Sequence, residues 1–247
     1  MLKRSFDERR DLAIGKDSEE AIHFSVSHWI ETAKKAIEQR GKFAVALSGG
    51  STPNVIYQML SKQPYAHQID WSKVWLFWGD ERAVAPNHPE SNYHTAMQNG
   101  LAQLPLNPHQ IFRMEAERVP IEKAASDYES LIKKHLDKSF FDLIMLGVGE
   151  DGHTASLFPN TEALKVEDKL VAANWVPQKH CWRMTLTYPC IRQSRAIAIY
   201  AHGPSKSTIV NEVLHAPYES PYPTSRIGEA GRKALWILDA DAAALLA

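Results

Sequence analysis

The sequence predicts an α/β protein, an open and mostly parallel sheet with helices on both faces, folded as one domain over residues 1–247. Three observations predict it. Five short runs are continuously apolar, as strands covered on both faces of a parallel sheet are. Segments with a helical apolar period lie between them. Polar, mostly glycine-bearing clusters follow directly after four of the runs, where the carboxyl ends of parallel strands open a ligand crevice.

Residues 1–17 carry basic pairs cut by acids and no continuous apolar stretch of the kind a secretory signal needs, and they read as an extension or a frayed start. Ile22, Val26, Trp29, Ala33 and Ile37 recur every third or fourth position, which predicts an amphipathic helix capped by Asp17 or Ser18 and stopped by Gly41. Phe43–Leu47 (FAVAL) is the first strand. A helix over 53–60 follows, with Ser51 or Thr52 as cap and Pro53 in the first helical position. Val74–Trp78 (VWLFW) is the second strand, and the proline-bearing 86–89 stretch reads as a loop or mobile lid. A helix over 121–136 leads to a strand over 141–147. A strand over 196–201, a helix over 205–214, a loop over 217–223 and a last strand, Ala234–Asp239, complete the pattern. No internal repeat and no Gly/Ser linker divides it.

Composition narrows the function. Lys and Arg number 28 against 29 Asp and Glu, a net charge of −1, so no basic surplus points to nucleic acid or to an anionic membrane. With 44% hydrophobic and 23% charged residues, and no stretch of roughly 20 apolar residues, the chain reads as an ordinary cytoplasmic globular protein. Two cysteines, Cys181 and Cys190, cannot build a disulfide framework or complete a zinc site, so reduced thiols and no metal are expected.

The chemistry collects after the strands. SGGSTP (Ser48, Gly49, Gly50, Ser51, Thr52, Pro53) lets the backbone approach a ligand and ends on a helix start, a cradle for phosphate or carboxylate. It lacks the GK[ST] ending of a nucleotide-binding loop. In GDER, Arg82 is placed to clamp an oxyanion and Asp80 to orient a neighbouring side chain. Lys206 and Arg226 are further basic candidates. GVGEDGH matches G-x-G-x-x-G by letter, but Glu150 and Asp151 occupy the place a pyrophosphate would need, and no dinucleotide cofactor is expected. His153 is the candidate general base, with Asp151 placed to set its tautomer. No G-x-S-x-G elbow supports a covalent mechanism through Ser48, Ser51 or Ser156.

Laid out this way, ALSGGSTP (46–53), WGDERAVAPNHPESNY (78–93) and FDLIMLGVGEDGHTASLFP (141–159), with RMTLTYP from Arg183, GPSK from Gly203 and a terminal WILD, resemble the glucosamine-6-phosphate isomerase/6-phosphogluconolactonase family from about residue 20 onward. The resemblance implies a Rossmann-like domain of the glucosamine-6-phosphate deaminase type and metal-free hydrolysis of a sugar-phosphate lactone. It implies His153 as base and the SGGST loop and Arg82 as phosphate binders; extended to the other basic residues, the reading expects Lys206 or Arg183 to help bind the phosphate or the developing oxyanion. The expected partner is the small lactone alone, and the expected assembly a monomer or weak homodimer. Two other readings fit the sequence less well. A deaminase on the same fold carries an acidic D-E-Y type segment and an asparagine- and glutamate-containing stretch where this chain reads GDERAV and TASLFP. A sugar-phosphate sensor lacks its usual preceding DNA-binding element here.

Overall fold

In chain order the elements are β1 (Leu2–Ser5), β2 (Arg10–Gly15), α1 (Ser18–Arg40), β3 (Phe43–Leu47), α2 (Ser51–Leu60), β4 (Val74–Trp78), β5 (Asp80–Arg82), α3 (Asn92–Gln98), β6 (Ile111–Phe112), α4 (Ile121–His135), β7 (Leu143–Gly147), β8 (Val171–Val176), β9 (Cys181–Leu186), α5 (Tyr188–Gln193), β10 (Ile197–Ala201), α6 (Ser207–His215) and β11 (Ala234–Asp239), joined by loops and short 3-10 turns. The computed structural model describes residues 1–246. The main sheet runs β1-β2-β11-β10-β7-β3-β4-β6 and is parallel except for β1, which pairs antiparallel with β2. All five apolar runs are strands of this sheet. Their side chains supply its core, with β3 buried at every position.

Helices α1 and α2 pack against each other; given the strand order, the right-handed rule for parallel crossovers puts them on one face and α4, α5 and α6 on the other. Strand order reverses between β3, whose chain leaves toward β4, and β7, whose chain leaves toward β10. Their carboxyl ends therefore flank the crevice where an open α/β sheet binds its ligand. The SGGST loop leaves β3 and the GVGEDGH loop leaves β7, so both motifs stand on the switch point.

Helix α1 has the expected ends: the Asp17 carboxylate accepts from the Glu20 N–H at 2.8 Å, and Gly41 closes it in the left-handed conformation at φ 74°. The start of α2 differs from expectation. It begins at Ser51 with Gly50 at the cap, φ 114°, and no side chain caps it. Gly50 makes the turn without a Cβ penalty, and Pro53 sits in the first turn where a missing N–H costs nothing. The first-turn amides of α2 are left for a ligand.

The reading of residues 1–17 as an extension or frayed start is corrected. β2 pairs in parallel with β11 and buries Leu12 and Ala13, while β1 covers the sheet edge. Arg10 and Asp11 interrupt the apolar signal of β2. The buried Arg10 is neutralised by Asp7, its Nε donating at 2.8 Å, and its Nη1 donates to the Val213 carbonyl of α6. A second, antiparallel sheet, β5-β9-β8, hangs from the end of β4 through the Leu186 N–H, which donates to the Gly79 carbonyl at 2.8 Å. Among the described residues no helix is long and apolar enough to cross a membrane.

Candidate active site

A cleft of about 250 Å³ lies over the switch point. Ser48, Gly49, Gly50, Ser51, Thr52, Asp80, Arg82, His153, Arg183 and Lys206 line it, so ten of the twelve residues singled out in the sequence meet in one place. Asp151 reaches it through His153. Arg226 does not line the cleft; its guanidinium lies 5.8 Å from the Tyr188 ring centroid.

His153 is held on three sides. Its Nδ1 lies 2.5 Å from the Asp151 Oδ1, and its ring stacks on Phe158 at 4.0 Å and 18°. The third side is Gly149, where a Cβ would stand 2.0 Å from Nδ1, so only glycine leaves room for the imidazole. With a carboxylate on Nδ1, that nitrogen carries the proton and Nε2 presents its lone pair. Nε2 has no protein partner among the described residues. Burial raises the Asp151 carboxyl, but the hydrogen bond from His153 and its charge outweigh that and hold Asp151 below the usual carboxylate range. It stays ionised wherever the imidazole has to accept a proton.

The SGGST loop is fixed from behind. The Tyr57 hydroxyl, on α2, donates to the Ser48 carbonyl at 2.7 Å and accepts from the Ser48 N–H at 3.1 Å. At Gly49 a Cβ would fall 2.0 Å from the Asn92 Oδ1. Asn92 in turn donates to the Asp80 carboxylate at 3.1 Å, and the other Asp80 oxygen accepts from Ser156 Oγ at 2.6 Å. Both Asp80 oxygens are thus engaged by side chains, and the residue ties the β4, α3 and post-β7 segments together.

Glu81 is not among the residues that line the cleft. It is buried and accepts from Ser91 Oγ and from the N–H groups of Arg82, Asn92 and Tyr93, all within 2.9 Å. Burial pushes its carboxyl up, and those four hydrogen bonds offset part of that. It caps α3 and so positions Asn92. Glu81→Gln, which replaces one acceptor oxygen with a donor, is expected to lower the unfolding free energy by about 2 kcal/mol in urea melts; an unchanged midpoint would show that the capping is dispensable.

The opposite wall is cationic. Arg82 and Arg183 stand directly across from each other in the β5–β9 pair, and neither meets a carboxylate among the described residues. Arg82 Nη1 donates to the Glu90 carbonyl while its buried Nε has no partner, and Arg183 Nε lies 3.4 Å from Cys181 Sγ. Lys206 Nζ donates to the Val148 carbonyl at 2.9 Å and likewise has no carboxylate. Three cations and the open amides of α2 face one cleft, an arrangement that suits an anionic ligand.

The family model for glucosamine-6-phosphate isomerases/6-phosphogluconolactonase matches residues 16–236. The chain belongs to this family. A curated 6-phosphogluconolactonase from Chlamydia muridarum is 42% identical over 237 residues, covering 96% of this chain and 91% of that protein. The solved structure of 6-phosphogluconolactonase from Thermotoga maritima superposes with a TM-score of 0.79 at 26% identity, over 92% of this chain and 98% of that one. A monomeric glucosamine-6-phosphate deaminase has a TM-score of 0.80 at 18% identity, over 95% and 99%, and shares the fold. The three motif segments that suggested the family are therefore confirmed as membership, and the Rossmann-like, deaminase-type architecture with them.

Within the family fold, the G-x-G-x-x-G letters of Gly147 to Gly152 do not open a helix: the chain turns back through an isolated bridge between Thr154 and Leu157. The helix N-terminus that follows a glycine turn on the cleft lining is that of α2, after Gly49 and Gly50. Among the described residues no group of three or more His, Cys, Asp or Glu side chains is arranged to hold a metal ion. Sequence reasoning assigned no role to Asn92, Phe158 or Tyr200. Asn92 lies in the ESNY stretch, and its distance from ALSGG hides their contact. Tyr200 sits inside an apolar strand run, and Phe158 reaches the site by stacking on His153.

Proposed function

We propose that the chain hydrolyses 6-phospho-D-glucono-1,5-lactone to 6-phospho-D-gluconate, as the cytoplasmic step of the oxidative pentose phosphate pathway, with His153 as general base. The observation that carries this reading is the Asp151–His153 pair, with Nε2 open on a cleft whose other wall is Arg82, Arg183, Lys206 and the start of α2. The cationic side chains and the α2 amides hold the lactone through its phosphate, remote from the reacting carbonyl, so positioning comes from a part of the substrate that does not react. His153 Nε2 takes a proton from water as its oxygen bonds to the lactone carbon. Asp151 stabilises the imidazolium that results. Collapse of the tetrahedral oxyanion breaks the bond to the ring oxygen, which takes the proton back from Nε2 and leaves as the sugar hydroxyl. The step uses water, one base and cationic side chains.

The lactone is generated in situ and its disappearance followed against spontaneous hydrolysis. Acceleration proportional to enzyme concentration is expected. A folded protein that adds nothing to the spontaneous rate would overturn the reading, and glucosamine 6-phosphate would be the next substrate tried.

A further inference from the structure

Tyr200 lies near the carboxyl end of β10, in register with Gly147 of β7. Registered neighbours on adjacent strands project to the same face of a sheet. Gly147 has no side chain there, and a Cβ built on it would meet nothing within 4 Å. The residue beside Tyr200 thus leaves open space that the phenol borders.

Tyr200 is only 3% exposed, yet its hydroxyl has no hydrogen-bond partner among the described residues and the residue lines the cleft beside Ser48, Gly50 and Lys206. Such a hydroxyl is costly where it stands, because a buried polar group without a partner forfeits its hydration. Phenylalanine would fill the same space at no such cost. The neighbouring Tyr57 hydroxyl is already committed to Ser48, and so offers no relief. Burial also raises the Tyr200 phenol above its ordinary range, which keeps it a neutral donor at any working pH. The uncapped amides at the start of α2 and Lys206 face the same space, and together they call for an anion.

We propose that the Tyr200 hydroxyl is a substrate-binding group that donates a hydrogen bond to the phosphate of the sugar phosphate seated at the start of α2. The inference rests on the sugar-phosphate reading above and names one more contact of that site. It assigns a role in binding and none in proton transfer.

Tyr200→Phe tests it, with inorganic phosphate and 6-phosphogluconate as probes in titration calorimetry and the lactone in turnover. The expected result is about a tenfold weakening of both probes and a similar rise in KM, with kcat nearly unchanged. Melting of the ligand-free variant is expected at or above the wild-type temperature, since the substitution deletes an unpaired hydroxyl. Unchanged affinity for phosphate would overturn the proposal, whether or not 6-phosphogluconate weakens, because a loss confined to the latter places the contact on the sugar. A lower melting temperature with unaltered binding would overturn it too, by assigning the hydroxyl a structural role. Wild-type turnover separates the two readings: an active wild type with an unaffected variant sinks only this contact, whereas a wild type inert toward the lactone sinks the reaction and leaves the phosphate titration to be judged alone.

Discussion

His153→Ala is expected to lower kcat by about two to four orders of magnitude while KM moves by no more than a few-fold. The asymmetry follows from the site. The cations, the Tyr200 phenol and the α2 amides that face the ligand do not depend on the imidazole, so ground-state binding survives its loss. What disappears is the proton acceptor at the moment water attacks, and with it the acid that protonates the leaving oxygen. At about 1.4 kcal/mol per tenfold, the loss corresponds to roughly 3–5 kcal/mol of transition-state stabilisation. Asp151→Asn separates orientation from basicity. An amide facing Nδ1 can donate where the carboxylate accepted, which favours the tautomer with the proton on Nε2 and turns the lone pair away from water. That variant is expected to lose kcat as well, with the same indifference in KM. Equal turnover by His153→Ala and wild type would remove the base assignment while leaving the cleft as a binding site.

The parallel sheet is legible in the sequence because β3, β4, β7, β10 and β11 are covered on both faces, and a strand with two apolar neighbours has almost no freedom to carry polar residues. β2 lies in the same sheet but is hidden, since Arg10 and Asp11 stand inside it and the partner that makes Arg10 tolerable, Asp7, lies outside the strand. The small antiparallel sheet is hidden for a related reason: in β9, Cys181, Trp182 and Arg183 are half-buried or exposed and only Met184, Thr185 and Leu186 are buried, so no continuous apolar run forms. The site shows the same division. Glycine-rich turns and charged residues at strand ends announce Ser48 to Thr52, Asp80, Arg82 and His153, because such residues are out of place in a core. Tyr200 makes no such announcement, being one aromatic residue in the run AIAIYA. Its meaning depends on the empty position at Gly147, which belongs to a different strand.

Arg82→Met and Arg183→Met are each expected to weaken 6-phosphogluconate binding by about 10- to 100-fold, the range of a lost hydrogen bond to a charged group, without lowering the stability of the free protein. The two residues are paired in register across β5 and β9, where like charges repel, and no carboxylate among the described residues relieves them. An arrangement that costs stability in the free chain is expected to gain on binding. The product carries a phosphate and a carboxylate, so either anion brought between the guanidiniums removes the repulsion and adds charge-assisted hydrogen bonds. Arg82 has a buried Nε with nothing to donate to. Arg183 lies over Phe158, the ring on which His153 stacks, which puts its charge close to the reacting end of the cleft. Removing either charge relieves the pair in the free protein, so unfolding free energies from urea melts are expected to stay level or rise by a few tenths of a kcal/mol. Affinity should fall with added salt in the wild type and fall less steeply in either variant, because fewer charges remain to be screened. The opposite pattern, a destabilised variant with unaltered affinity for 6-phosphogluconate, would make the arginine pair a structural element of the β5–β9 ladder and would leave Lys206 and the α2 amides as the anion site.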